Sequence, residues 1–106
     1  MSKTIRSLVV LAAAISLAGA VGFAESPGEA TYKAKCQMCH GATGAADTPT
    51  AKMLKVKPLA DPEIKKLTAD AMFASVKAGK GKMPSYKDKL TDAQIKDVVT
   101  YYRGLK

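Results

Sequence analysis

The clearest hydrophobic pattern in the chain lies near its C-terminus and predicts an amphipathic helix. Thr91 and Gln94 form a capping box, in which each side chain can accept a hydrogen bond from the backbone N–H of the other residue. The apolar residues that follow recur at i, i+3, i+4 and i+7 and share one face: Ile95, Val98, Val99 and Tyr102. Because such a face must be covered, we expect the helix to pack against the rest of the domain.

Weaker signals predict three further helices. Thr68 is an N-cap and Gly79 a stop for one of them, and its apolar side consists of Met72, Phe73 and Val76. A short helix is expected from Asp61 to about Lys66. Ser26-Pro27-Gly28-Glu29 combines an N-cap, a proline at the first helical position and a glutamate three residues after the cap. A helix should therefore begin there and run towards the cysteines.

The rest of the chain predicts loops, so the fold class is all-α in a single domain. Residues 52–58 alternate lysine with apolar residues but are too short for a sheet without partners elsewhere. Residues 41–50 and 80–89 have loop composition. Loops of this length are unusual in a small domain unless a ligand fills the space that they enclose.

The N-terminal segment predicts export. Lys3 and Arg6 precede an apolar run, and Gly22-Phe23-Ala24 offers small residues at a signal-peptidase site. We therefore interpret residues 1–24 as a signal peptide that is removed, leaving residues 25–106 as the mature, periplasmic domain. An uncleaved membrane anchor is the alternative, because residues 7–24 are 18 uncharged positions.

The charge balance favours acidic partners. Basic residues outnumber acidic ones by 17 to 9, which gives a formal net charge of +8. Nucleic acid is not expected as a partner because the chain is predicted to be exported and contains few aromatic residues. An apolar core in a domain of this size provides only modest stability, so a covalently held cofactor would help to stabilise the fold.

The chemistry of the chain centres on Cys36-Gln37-Met38-Cys39-His40, a CxxCH pattern. Two thiols at this spacing can each add to a haem vinyl group while the adjacent imidazole faces the iron. A structural disulfide, a redox-active dithiol and a soft copper site are the alternatives. The disulfide leaves the single histidine without a role, and a dithiol of the thioredoxin type would follow a strand.

On the opposite face of such a haem, Met83 is the strongest candidate ligand. Met38 lies inside the attachment segment, Met53 lies among lysines, and Met72 falls on an apolar helix face where methionine commonly fills the core. Met83 follows flexible glycines and precedes Pro84, which restricts the adjacent backbone. This arrangement suits a loop that passes close over a flat ring and presents one side chain.

Three features together resemble a class I c-type cytochrome of the short bacterial kind. They are the CxxCH pattern near the start of the mature chain, Gly81-Lys82-Met83-Pro84, and the C-terminal amphipathic helix. The resemblance covers nearly all of residues 25–106 and implies the cytochrome c fold. In that fold the first and last helices cross, and two further short helices and long loops surround one haem.

The resemblance also assigns residues to roles. The helix crossing would pair Gly28 and Tyr32 of the first helix with residues of the last helix, namely Val98 and Tyr101. The carbonyl of Pro49 would accept a hydrogen bond from the second ring nitrogen of His40, a normal kind of support for a metal-bound imidazole.

The implied function is that of a monomeric monohaem electron carrier in the periplasm, not an enzyme. Haem c would be attached at Cys36 and Cys39, with iron ligated by His40 and Met83. Redox partner proteins with acidic docking surfaces are expected, and eight lysines are candidates for the complementary surface or for an ordinary solvated face. They are Lys52, Lys55, Lys57, Lys77, Lys80, Lys82, Lys87 and Lys89.

Two other functions remain open from the sequence. An open or displaceable sixth iron position would favour a gas sensor or a peroxidase-like domain. Without haem, the same cysteines would indicate a CxxC redox protein or a copper-binding protein.

Overall fold

The computed structural model describes residues 26–106, and within this range the chain forms six helices and no β-strand. The helices are α1 (Glu29–Lys35), α2 (Gln37–His40), α3 (Pro49–Leu54), α4 (Pro62–Lys65), α5 (Ala69–Ala78) and α6 (Asp92–Arg103). The predicted signal peptide, residues 1–24, lies outside the described residues. Within residues 26–106, no helix has both the length and the apolar character needed to span a membrane.

The core lies between α5 and α6, on the faces that the hydrophobic pattern predicts. Its central cluster consists of Met72, Leu90, Ile95 and Val99. Both halves of the predicted capping box are present: Thr91 N–H donates to Gln94 Oε1 at 2.9 Å, and Gln94 N–H donates to Thr91 Oγ1 at 3.1 Å. Thr68 caps α5 through the N–H of Ala71. These two helices therefore begin where the sequence predicts.

The helices α1 and α6 cross at Gly28. A Cβ atom on Gly28 would lie 2.2 Å from the carbonyl oxygen of Asp97 and 2.9 Å from Cβ of Tyr101. One turn further along α1, Tyr32 is 1% exposed, and its ring centroid lies 5.3 Å from that of Tyr101. The crossing thus involves the residues predicted for α1. On α6, however, Gly28 lies closest to the backbone of Asp97 and to Cβ of Tyr101, with Val98 buried beside them.

The start of α1 differs from the prediction. The N-cap is Gly28, without a side-chain hydrogen bond, and the helix begins at Glu29. Ser26 belongs to a preceding turn, in which its carbonyl accepts a hydrogen bond from Glu29 N–H at 3.0 Å. The local capping pattern at Ser26 was therefore misleading, because the entry into α1 is fixed by the close contact between Gly28 and α6.

The helix α3 was not predicted. Thr48 is its N-cap and accepts a hydrogen bond from Ala51 N–H at 3.0 Å, and Pro49 is its first residue. The pair Thr48-Pro49 is a helix-start signal that was available in the sequence. However, the glycine, threonine and aspartate residues around this pair have the composition of a loop, and the loop prediction for residues 41–50 followed from them.

Candidate haem-binding site

Cys36 lies at the break between α1 and α2. Its N–H donates to the carbonyl of Tyr32 at 2.9 Å, and its own carbonyl accepts from the N–H of His40 at 2.9 Å. Cys36, Cys39 and His40 therefore occupy positions i, i+3 and i+4 of one helical turn and share a face. Both thiols are half-buried and free of a disulfide bond. Both thiols are therefore available for covalent attachment on the same helix face as the His40 imidazole.

The surroundings of His40 suit a metal ligand. Burial lowers the pKa of His40, which favours the neutral imidazole that metals bind. Its Nδ1 atom is buried and has no hydrogen-bond partner among residues 26–106. An unpartnered buried nitrogen is costly in an ordinary core. The residue thus fits a histidine whose environment is completed by a bound cofactor.

An aromatic cluster supports the backbone around His40. The buried hydroxyl of Tyr32 donates to the carbonyl of Gly41, and Ala46 N–H donates to the carbonyl of His40 at 2.9 Å. The ring of Tyr102 contacts that of Tyr32 at a centroid distance of 6.1 Å and that of His40 at 5.2 Å. The histidine is therefore held by both α1 and α6.

The supporting roles of Tyr32 and Tyr102 toward His40 were not predicted from the sequence. Tyr32 lies four residues before Cys36, so helical spacing alone could have placed both on one face. For Tyr102, the sequence shows only membership of the apolar face of α6. Its contact with His40 depends on how α6 crosses the rest of the chain.

Thr48, rather than Pro49, links the following loop to the attachment segment. Its hydroxyl donates to the carbonyl of Met38 at 2.6 Å. Nδ1 of His40 has no hydrogen-bond partner among the described residues, so the bond to the Pro49 carbonyl stays a prediction for the haem-bound protein. Pro49 is the first residue of α3.

Met83 lies on a separate element, a tight turn that directly follows α5. Lys80 and Met83 exchange two backbone hydrogen bonds of 3.0 Å each. Ser85 fastens the end of the turn, since its hydroxyl donates to the carbonyl of Lys77 at 2.6 Å. Gly79 has a φ of +83°, and a Cβ atom there would lie 2.9 Å from the Ser85 nitrogen. Glycine is therefore required where the chain leaves α5, and the half-buried Met83 is held on a defined loop.

The other three methionines within residues 26–106 are placed less favourably for a ligand. Met38 and Met53 are each 72% exposed. Met72 is buried in the core cluster, and its sulfur lies 4.0 Å from the Arg103 guanidinium. Met83 thus remains the strongest candidate on structural as well as sequence grounds.

The cysteine environment argues against the dithiol and copper alternatives. Burial, with a smaller effect from Cys39, raises the pKa of Cys36 to about 11, whereas a reactive redox thiol needs a lowered pKa. Within residues 26–106 there is no group of three or more His, Cys, Asp or Glu side chains that could hold a metal ion. The side chains of Cys36, Cys39 and His40 are thus not arranged to bind a single metal ion directly.

Comparisons with known proteins agree with the haem interpretation. The family model described as "Cytochrome C oxidase, cbb3-type, subunit III" matches residues 24–101. Cytochrome c6 of Leptolyngbya boryana is 39% identical over 74 residues, which are 70% of this chain and 84% of that protein. The solved structure of the KustC0563 c-type cytochrome is 30% identical with a TM-score of 0.67, over 74% of this chain and 96% of that one. A tyrosine-to-phenylalanine mutant of Kustc0563 is 27% identical with a TM-score of 0.66, over 76% and 99% of the two chains.

These matches confirm the predicted cytochrome c fold and the predicted cofactor. The family model spans most of the chain, and the structural neighbours are covered almost completely. The disulfide, dithiol and copper readings of Cys36 and Cys39 are therefore wrong. The chain belongs to the cytochrome c family, as a small class I c-type cytochrome and monohaem electron carrier whose iron is held in a covalently bound haem c.

Proposed function

We propose that this cytochrome is a periplasmic shuttle for single electrons, with thioether bonds at Cys36 and Cys39 and iron ligands from His40 and Met83. The observation that carries the proposal is the environment of His40. Burial lowers the pKa of its imidazole, one of its nitrogens is buried without a partner among the described residues, and it shares a helical face with two free thiols. When bound, haem supplies a one-electron couple at iron.

Each proposed ligand has a separate task. The two cysteines, which lie in one helical turn, would keep the cofactor attached in the periplasm. His40 is supported by Tyr32, which donates to the carbonyl of the next residue, Gly41, and by Tyr102, whose ring contacts the imidazole. The thioether of Met83 favours the reduced over the oxidised iron and so raises the reduction potential. Two protein ligands leave no position for a substrate, which suits a carrier rather than an enzyme.

Pro49 stays a prediction for the haem-bound protein. Iron ligation by one ring nitrogen would fix the rotation of the His40 imidazole, and its other N–H would then require an acceptor. The segment that contains Pro49 is already held beside the attachment segment, because Thr48 donates to the Met38 carbonyl. The Pro49 carbonyl is the proposed acceptor.

The visible and near-infrared spectrum tests the proposed ligands. The full chain would be expressed in a host that attaches haem c, and the oxidised protein should show a Soret band and the weak near-infrared absorption of a methionine–iron bond. A Soret band without the near-infrared absorption would reject Met83 as a ligand. That result would favour an open-site gas sensor or peroxidase-like domain.

The proposed docking surface consists of exposed lysines around the Met83 turn and on α3. Two of the eight predicted lysines are partly neutralised, because Lys77 pairs with Asp92 at 3.1 Å and Lys57 pairs with Glu63. The remaining six are Lys52, Lys55, Lys80, Lys82, Lys87 and Lys89, all exposed. Such a surface would steer an acidic redox protein towards the cytochrome.

Electron transfer to an acidic redox protein should therefore slow as salt is added. The second-order rate constant, measured by stopped flow, is expected to fall about tenfold or more between 0.01 M and 0.3 M ionic strength. Replacing Lys80 and Lys82 with glutamate should reduce the low-salt rate far more than replacing Lys106 and Lys96, which carries the same charge change outside the proposed set. A rate that is independent of salt would reject the docking surface.

A further inference from the structure

Tyr86 connects the turn that carries Met83 to the segment that carries the two cysteines. Its hydroxyl donates a hydrogen bond of 3.2 Å to the carbonyl of Lys35, the residue directly before Cys36. The two partners are 51 positions apart in the chain. A tyrosine hydroxyl keeps its proton at neutral pH, and burial raises the pKa of Tyr86 further.

The acceptor is available because of the break between α1 and α2. Lys35 is the last residue of α1, and the final carbonyls of a helix lack partners within it. In a continuous helix the N–H of Cys39 would donate a hydrogen bond to the Lys35 carbonyl. Here it donates instead to the carbonyl of Cys36 at 3.1 Å. The break between α1 and α2 thus leaves the Lys35 carbonyl without a partner in the helix, and the Tyr86 hydroxyl donates a hydrogen bond to it.

Tyr86 is also fixed to the Met83 turn. Its N–H donates to the carbonyl of Val76 in the last full turn of α5, at 3.0 Å. The neighbouring Ser85 hydroxyl is bound to Lys77 at the same helix end. The half-buried ring packs against the core cluster. The Tyr86 side chain therefore links the Met83 turn to the segment that contains His40, the two parts of the chain that would ligate iron from opposite sides.

We propose that Tyr86 is a positioning residue that couples the Met83 turn to the attachment segment and opposes displacement of Met83 from the iron. The proposal rests on ligation by His40 and Met83 as set out above. For Met83 to leave the iron, residues 80–86 must shift relative to α1, and this shift would break the bond between Tyr86 and Lys35. Loss of one ordinary hydrogen bond corresponds to about a three- to tenfold change in an equilibrium constant.

Imidazole provides the test, because it competes with Met83 for the oxidised iron. The holoprotein would be titrated with imidazole at neutral pH while loss of the near-infrared methionine–iron absorption is followed. Tyr86→Phe keeps the ring and removes the hydroxyl, and it should bind imidazole about three- to tenfold more tightly than the unmodified protein. Tyr101→Phe is the matched control, since it removes the same hydroxyl from a ring that packs on Tyr32 at the crossing of α1 and α6, and its imidazole affinity should change less than twofold.

A denaturant unfolding midpoint for each variant separates positioning from general stability. An unchanged imidazole affinity in Tyr86→Phe would overturn the proposal, and a lower unfolding midpoint beside it would assign the hydroxyl to stability alone. Failure of the ligation itself has a different signature. In that case the unmodified protein lacks the near-infrared absorption before any imidazole is added.

Discussion

Replacing Met83 with alanine should abolish the near-infrared absorption of the oxidised protein and lower its reduction potential by on the order of a few hundred millivolts. The physical reason is the soft thioether, which stabilises reduced iron more than oxidised iron. Alanine removes the sulfur without removing the turn, because the two hydrogen bonds between residue 83 and Lys80 use only backbone atoms. Haem attachment at Cys36 and Cys39 should be unaffected.

The change should also open the iron to external ligands. Met83→Ala is expected to bind imidazole or cyanide at concentrations that leave the unmodified protein unchanged, which absorbance titration and protein-film voltammetry would measure. Met53→Ala is the control, because Met53 is 72% exposed and removal of its side chain costs no packing. If Met83→Ala and Met53→Ala share the potential of the unmodified protein, Met83 is not a ligand.

Replacing Gly28 with alanine should destabilise the folded protein by about 3 kcal/mol. The added Cβ atom would lie 2.2 Å from the Asp97 carbonyl oxygen and 2.6 Å from its carbon, both of which belong to the backbone of α6. Neither atom can move like the end of a side chain, so the two helices would have to separate. Because Tyr32 packs on Tyr101 at the same crossing, the separation would also loosen the support of His40.

Denaturant unfolding of the haem-bound protein would measure the effect. Gly104→Ala is the control at the C-terminal end of α6, because its nearest contact would be an ordinary 3.6 Å from the Tyr101 carbonyl oxygen. That variant should differ from the unmodified protein by less than 1 kcal/mol. Equal midpoints for both variants would show that α1 and α6 do not cross closely at Gly28 in solution.

The attachment chemistry and the two capped helices could be predicted from the sequence because each depends on residues that are close along the chain. Thioether attachment needs two thiols and an imidazole within five positions, and Cys36 to His40 provide them. The Thr91 capping box and the apolar face of α6 likewise follow from spacing of three or four residues. Export, attachment at Cys36 and Cys39, iron ligation by His40 and Met83, and the Pro49 hydrogen bond remain predictions.

Local signals failed where distant contacts decide the outcome. Ser26 has the pattern of a helix cap, yet α1 begins at Glu29 because Gly28 must lie against Asp97 on α6. Thr48-Pro49 begins a helix in a stretch whose composition resembles a loop, and Thr48 also fastens that helix to the Met38 carbonyl. Gly28 and Thr48 each cap a helix and also contact a distant part of the chain, and the sequence displays only local signals.

By itself, then, the sequence determined an all-α chain that carries a covalently bound haem c, and it predicts attachment at CxxCH with Met83 as the best candidate for the far side of the iron. Only the tertiary structure decided how that site is supported. Tyr32 reaches Gly41, Tyr102 packs on His40, and Tyr86 joins the Met83 turn to Lys35. These contacts span 9, 62 and 51 positions. The second depends on how α6 packs, and the third depends on where the segment after α5 lies against the end of α1. Helical periodicity gives the apolar side of each helix but not the partner on which that side packs.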